Sequence, residues 1–233
     1  MINLGETNFF IDVPSLPRFE FEDYSTRLFD EWVAYVDEVL NLPDYSLALE
    51  IEEGSVKGAG KIGIFLGALY LGIGNYGDFI SGLQTIHGQV SSVGDYLAEQ
   101  ATKPFDSQGH EIKVKKRSGA LGQLQRLFNK VQRREITAEE AMHEAELLLG
   151  EEAGSNPDFM RDLQSALKEM PKLPEQLPLL EMTEQDLELV PSEKQRQPRS
   201  PRQIPIAPPS NQFRVEVWRD SKKGQRRVRV VEL

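Results

Sequence analysis

Lys113, Lys115, Lys116, Arg117, Arg126, Lys130, Arg133 and Arg134 crowd into one short stretch of the chain. Clustered ammonium and guanidinium groups neutralise phosphates, and binding driven that way weakens steeply with salt. The spacing makes Lys113, Lys115, Lys116, Arg117, Arg133 and Arg134 candidate phosphate contacts. The same cations could instead pair with carboxylates of the acidic helices on either side. The overall acidity, a net charge of −10 over 233 residues, favours that second chemistry. A second basic patch, "KKGQRRVR", lies near the C-terminus.

Other reactive side chains form no pattern that catalysis needs. His87, His110 and His143 have no partner four residues away and no acidic ligand pattern around them, so no metal site is expected. Glu50, Glu52, Glu53 and Asp78 supply carboxylates, but no spacing singles out an acid–base pair. "GSVKGAGKIG" is rich in glycine and lysine, yet it departs from the P-loop order and no Ser or Thr follows its second lysine. With no cysteine in the chain, disulfides, thiolate catalysis and Cys-ligated zinc are excluded. The expectation is a protein with no catalytic residues, no cofactor and no metal.

Charge alternates along the chain: residues 1–100 are acidic, 111–134 basic, 135–188 acidic and 213–233 basic. Such segregation suits contacts between copies or one localised anionic partner. The acidic N-terminus has no charged-then-apolar leader, so the expected location is cytoplasmic. "NFFIDVP" reads as a short strand ended by Pro14. Leu28, Trp32, Tyr35, Val36 and Val39 then mark an amphipathic helix stopped near Pro43. Leu47, Leu49 and Ile51 alternate as a strand before a turn at Glu53-Gly54-Ser55, and a second short strand follows.

Farther on, Leu121, Leu124, Phe128 and Val131 share one helix face. Thr137 and Glu140 form a capping box for a helix ending at Gly150. Asn156 and Pro157 start a third helix that stops before Pro171. Prolines recur through 171–211, the composition of an extended linker. Phe213, Val215 and Val217, then Val228 and Val230, alternate on either side of "DSKKG" as a β-hairpin expected to dock on the N-terminal domain or a partner protein. The expected class is α+β and mainly helical. Its parts are an α+β unit with a long apolar helix (1–100), a helical bundle (101–170), a Pro-rich linker (171–211) and a hairpin (212–233).

The most apolar stretch is "KIGIFLGALYLGIGNYGDFISGL", residues 61–83. Taken as one helix over 60–97, it places Ile62, Leu66, Leu69, Ile73, Tyr76, Ile80, Leu83, Val90 and Leu97 on a coiled-coil-like seam broken at His87 and Gly94. Gly60, Gly67, Gly74, Ser81 and Gly88 recur every seven residues beside it, a stripe that lets backbones approach closely. Leu66, Gly67, Ile73, Gly74, Ile80 and Ser81 are the candidate self-association contacts. A membrane span is the rival reading. It requires roughly 17–25 apolar residues, and only 62–74 is free of strongly polar side chains. A break at "GNYGD" into two elements is the third.

The order of hydrophobic strand, "EIEEGS" and glycine-rich apolar helix resembles a group of short, uncharacterised bacterial proteins. Some of these look linked to mobile elements or antiviral defence. The resemblance covers Asn8 to Leu97, rests on Glu53-Gly54-Ser55, and implies an accessory or effector role with no catalytic residues to transfer. Together these features point to a non-enzymatic, self-associating interaction protein: an adaptor, structural subunit or effector component of a bacterial or phage complex. Its partners would be itself and another protein bound by the hairpin. The alternatives are a membrane-perturbing effector built on 61–83 and a nucleic-acid-binding accessory protein using 113–134.

Overall fold

The computed structural model describes residues 1–12, 16–53, 56–105, 112–171 and 213–233. Pro14, the Gly54-Ser55 turn, His110 and nearly all of the Pro-rich segment lie outside them. The chain opens with β1 (Ile2–Ile11), α1 (Arg18–Val39), β2 (Ser46–Glu52) and β3 (Val56–Ile64). Next come α2 (Leu66–Ile73), α3 (Phe79–Thr102) and β4 (Ile112–Arg117). Then α4 (Gly119–Gln132), α5 (Ala138–Leu149), α6 (Glu151–Ser155) and α7 (Pro157–Glu169) precede β5 (Phe213–Arg219) and β6 (Arg227–Glu232).

The fold is α+β. All six strands join one sheet in the order β4-β1-β3-β2-β5-β6, with every neighbouring pair antiparallel. The first four strands and their helical crossovers make a split βαβ arrangement, and β5–β6 widens it at the free edge of β2. Phe213, Val215 and Val217 are buried on the helix side of β5. Each such side chain contributes roughly 1.5–3 kcal/mol by leaving water, so the hairpin is an integral edge of this sheet. Segments 1–100, 101–170 and 212–233 thus all contribute strands to it and residues to one core cluster.

Several local expectations appear in the structure. Helix α1 buries Leu28, Trp32 and Val36, and α3 lies beside it, with Tyr35 and Tyr96 stacked at 4.0 Å. The capping box of α5 forms: the Glu140 N–H donates to Thr137 Oγ1 at 3.1 Å and the Thr137 N–H to Glu140 Oε2 at 2.8 Å. Asn156 and Pro157 do begin α7, but the Asn156 side chain makes no capping bond. Strand β1 starts at Ile2, well before Asn8. An irregularity between Asn3 and Gly5 buries the consecutive Leu4 and Gly5 and interrupts the alternation that would have marked it.

The single long helix over 60–97 does not form. Gly60 and Lys61–Ile64 belong to β3, the apolar helix α2 is only eight residues long, and the chain turns at Gly77 before α3. Gly77 has φ 90°, a conformation open to glycine but costly for other residues. Asp78 then caps α3, accepting from the Ser81 N–H at 2.9 Å and the Ser81 hydroxyl at 2.6 Å. The two-element reading at "GNYGD" is the one observed. Gly58 and Gly60 make room for side chains of the same chain: an added Cβ would meet Phe9 Cζ at 2.0 Å and Leu97 Cδ2 at 2.2 Å. Among the described residues, no helix is long and apolar enough to cross a membrane.

Candidate functional site

Directly paired residues of an antiparallel sheet share a face, so the register sorts every strand position. Thr7, Phe9 and Ile11, Leu47, Leu49 and Ile51, and Val215 and Val217 point to the helices and are buried. Their alternates form a second face that none of the described helices covers. Three rows cross it from β4 to β6. The first is Lys113, Phe10, Lys57, Glu52, Arg214 and Val231. The second is Lys115, Asn8, Ala59, Glu50, Glu216 and Arg229. The third is Arg117, Glu6, Lys61, Ala48, Trp218 and Arg227.

This face reverses the charge of the whole molecule. Eight cations stand among four carboxylates on it, an excess of four positive charges on a protein of net charge −10. Each carboxylate is matched to a cation: Lys61 Nζ to Glu50 at 3.2 Å, Arg117 to Glu6 at 3.8 Å, Arg214 to Glu52 and Arg229 to Glu216 both at 2.5 Å. Hydrogen bonding to Glu52, opposed by a smaller desolvation effect, raises the Arg214 pKa, so this cation stays charged. Arg227 turns to Asp220 in the hairpin loop at 2.8 Å. Lys113 sits 5.8 Å above the Phe10 ring, a cation–π contact. Phe10 and Trp218, both half-buried, are the aromatic members of the three rows. Ala59 and Ala48, at the centre, keep the relief low between them.

The basic run is split by this architecture. Lys113, Lys115 and Arg117 lie on the open face of the edge strand β4, while Lys116 turns to the helix side and bonds Asp95 of α3. Arg133 and Arg134 lie at the far end of α4, about 20 Å away by its length. Arg133 pairs with Glu135 at 3.8 Å, and Lys130 with Glu144 of α5 at 3.4 Å. The pairing with acidic helices anticipated for the run therefore occurs for Lys116 with α3 and for Lys130 with α5.

The expected self-association contacts are dispersed too. Leu66 and Ile73 are buried in the chain's own core. An added Cβ on Gly67 would lie 3.0 Å from Asn156 Oδ1, so that glycine abuts the start of α7. Gly74 faces open space, Ile80 packs against the core, and Ser81 is held by the Asp78 cap. The spacing that suggested a partner helix reflects α2 and α3 packing separately inside one molecule.

Phe10, Trp218, Lys57 and the hairpin arginines were missed as a group. The signal that finds them is the strand parity opposite to Phe9, Val56, Val215 and Val217, together with the register that aligns six distant strands. A second polar cluster holds the hairpin in place. Arg219, 5% exposed, bonds Asp37 at 2.6 and 3.1 Å and lies 5.2 Å from the Tyr45 ring centre. Burial pushes the Asp37 carboxyl up, but bonds from Arg219 and Tyr45 and the charges of Arg219 and Lys222 outweigh it and hold it below its ordinary value. Among the described residues, no group of three His, Asp or Glu side chains could hold a metal ion. No family profile, curated protein or solved structure matches the chain.

Proposed function

We propose that this protein is a non-enzymatic nucleic-acid-binding accessory protein that takes a single strand of RNA or DNA on the open face of its sheet. The observation that carries this reading is the reversed charge of that face with Phe10 and Trp218 set in it. Single strands are bound by a positive surface that follows the backbone and by aromatic rings on which bases stack. The ion-paired cations, Arg227 with Asp220 among them, hold their neighbours in register, and the positive charge left over attracts phosphate. The reading moves the interface from 113–134 to a surface shared by β4, β1, β3 and the hairpin.

The self-association reading through 60–97 has less support, because Leu66 and Ile73 are occupied within the chain. The nucleic-acid reading is tested by anisotropy titration of labelled single-stranded RNA and DNA with wild-type protein and with Phe10→Ala and Trp218→Ala. Stacking contributes about 1–3 kcal/mol per base, so each variant is expected to weaken binding by roughly five-fold or more. Wild-type protein that binds neither strand at low salt would remove the proposal.

A further inference from the structure

The two edges of the sheet are unlike. Strand β4, at one edge, carries Lys113, Lys115, Lys116 and Arg117, and such charges discourage a second chain from pairing there. Strand β6, at the other edge, reads RVRVVE and has no proline. Its register against β5 runs without a bulge from Arg227 to Glu232. Its arginines fold back onto their own hairpin: Arg229 donates to Glu216 at 2.8 Å, and Arg227 lies 2.8 Å from Asp220. What remains at this edge is valine and backbone.

One bond fixes which backbone groups of β6 point outward. The Glu53 N–H donates to the Phe213 carbonyl at 3.0 Å, one step beyond the paired Glu52 and Arg214. Backbone direction alternates along an antiparallel strand, so Phe213, Val215 and Val217 bond to β2, while Arg214, Glu216 and Trp218 bond to β6. Their partners on β6 are Val231, Arg229 and Arg227. The N–H and C=O groups of Val228, Val230 and Glu232 therefore point away from the sheet, and among the described residues no strand lies beyond them. The side chains of Val228 and Val230 stand on the helix side, but the helix layer ends before them. Val217 is 1% exposed, and Val228, directly opposite it, is 44% exposed.

We propose that β6 is a self-association edge, where a second copy of this chain adds its own β6 antiparallel across a two-fold axis at Val230. In that register Val230 meets Val230 of the second copy, and Val228 meets Glu232 in both directions. These are the outward-pointing residues, so each of the three pairs exchanges two backbone hydrogen bonds. On the open face Arg229 stands opposite Val231, and no like charges are directly opposed. The ends are complementary as well: Glu232 of the second copy lies diagonal to Arg226. That guanidinium is bonded to Asp30 through one nitrogen, which leaves donors for a second carboxylate. The edge thus fits itself, and the two sheets join with their open faces on the same side. This association goes beyond the nucleic-acid reading and does not depend on it.

A contact of one strand pair is small and its association weak, so the test is sedimentation equilibrium of the full chain up to about 500 μM. The expected result is a concentration-dependent equilibrium between monomer and dimer. Val230→Lys sets two ammonium groups against each other at the axis, and Val230→Glu two carboxylates. Each should weaken association at least about tenfold, the equivalent of one valine kept in water plus the repulsion. An equimolar mixture of the two variants should restore it, because unlike charges then meet. If the Val230 variants do not fold, Val228→Glu, at an exposed position, opposes Glu232 of the second copy and should weaken association likewise. Adding Glu232→Lys to it should restore the dimer. Wild-type protein that stays monomeric throughout overturns the proposal and leaves the edge to a strand of another protein. A dimer that these variants leave intact, or a mixture no tighter than either variant alone, overturns it too.

Discussion

The Arg219 guanidinium grips the Asp37 carboxylate with two hydrogen bonds, at 2.6 and 3.1 Å, between residues 182 positions apart. The contact ties the last strand pair to the first helix. Tyr45 donates to the same carboxylate, and Lys222 reaches the Leu42 carbonyl at 3.2 Å. Asp37→Asn should therefore destabilise the protein well beyond an ordinary surface change. Breaking a buried pair costs about 3–5 kcal/mol, and the partial exposure of Asp37 places this case near the lower end. Urea unfolding measures it; a loss below about 1 kcal/mol would mean that the hairpin is held by its apolar face alone.

Acid should weaken the fold in two stages. A histidine whose folded pKa is lowered, as burial lowers that of His87, stabilises above the unfolded value of about 6.5, and that contribution is lost as pH falls below it. Asp37, also held below its ordinary value, contributes above about pH 4 and loses that contribution as pH falls through its lowered pKa. Unfolding free energy measured against pH should show both declines. His87→Gln should flatten the upper one and Asp37→Asn the lower one.

The glycines divide into those that tight packing requires and those it does not. A Cβ on Gly82 would meet the Ile73 carbonyl oxygen at 2.8 Å, and one on Gly119, at φ 50°, the Asn3 carbonyl oxygen at 2.3 Å. Neither backbone can yield cheaply, so either Gly→Ala change should cost about 2 kcal/mol or more. Gly88 lies mid-helix in α3 facing open space, and Gly88→Ala should stabilise by about 0.5–1 kcal/mol. Thermal denaturation of the three variants checks the ordering.

Period and parity in the sequence located most elements. The 3.6-residue spacing of Leu28, Trp32 and Val36 marked α1, and the alternation of Leu47, Leu49 and Ile51 marked β2. Where the reading failed, two physical effects overlapped. Gly58 and Gly60 sit in a strand because Phe9, Trp32 and Leu97 fill the space above them, yet in one dimension Gly60 continues a heptad of small residues. Lys113 and Trp218 become parts of one surface only through a sheet order in which β2 and β5 are neighbours despite their separation in the chain. Local spacing carries no record of that pairing, so the run 113–134 looked like one basic patch when its two halves face different surroundings.

The most direct test of the open-face account is the salt dependence of single-stranded oligonucleotide binding. Wild-type protein is compared with a variant carrying Lys57→Gln, Lys113→Gln, Lys115→Gln and Arg227→Gln. For single strands, log affinity falls with log salt at a slope of about −0.7 for each phosphate neutralised. The account predicts a steep negative slope for wild type, shallower by about 2–3 in the variant, with unfolding stability changed by less than about 1 kcal/mol because these are solvent-exposed positions. Equal slopes for the two proteins, or loss of binding only when Arg133 and Arg134 are changed, would contradict it.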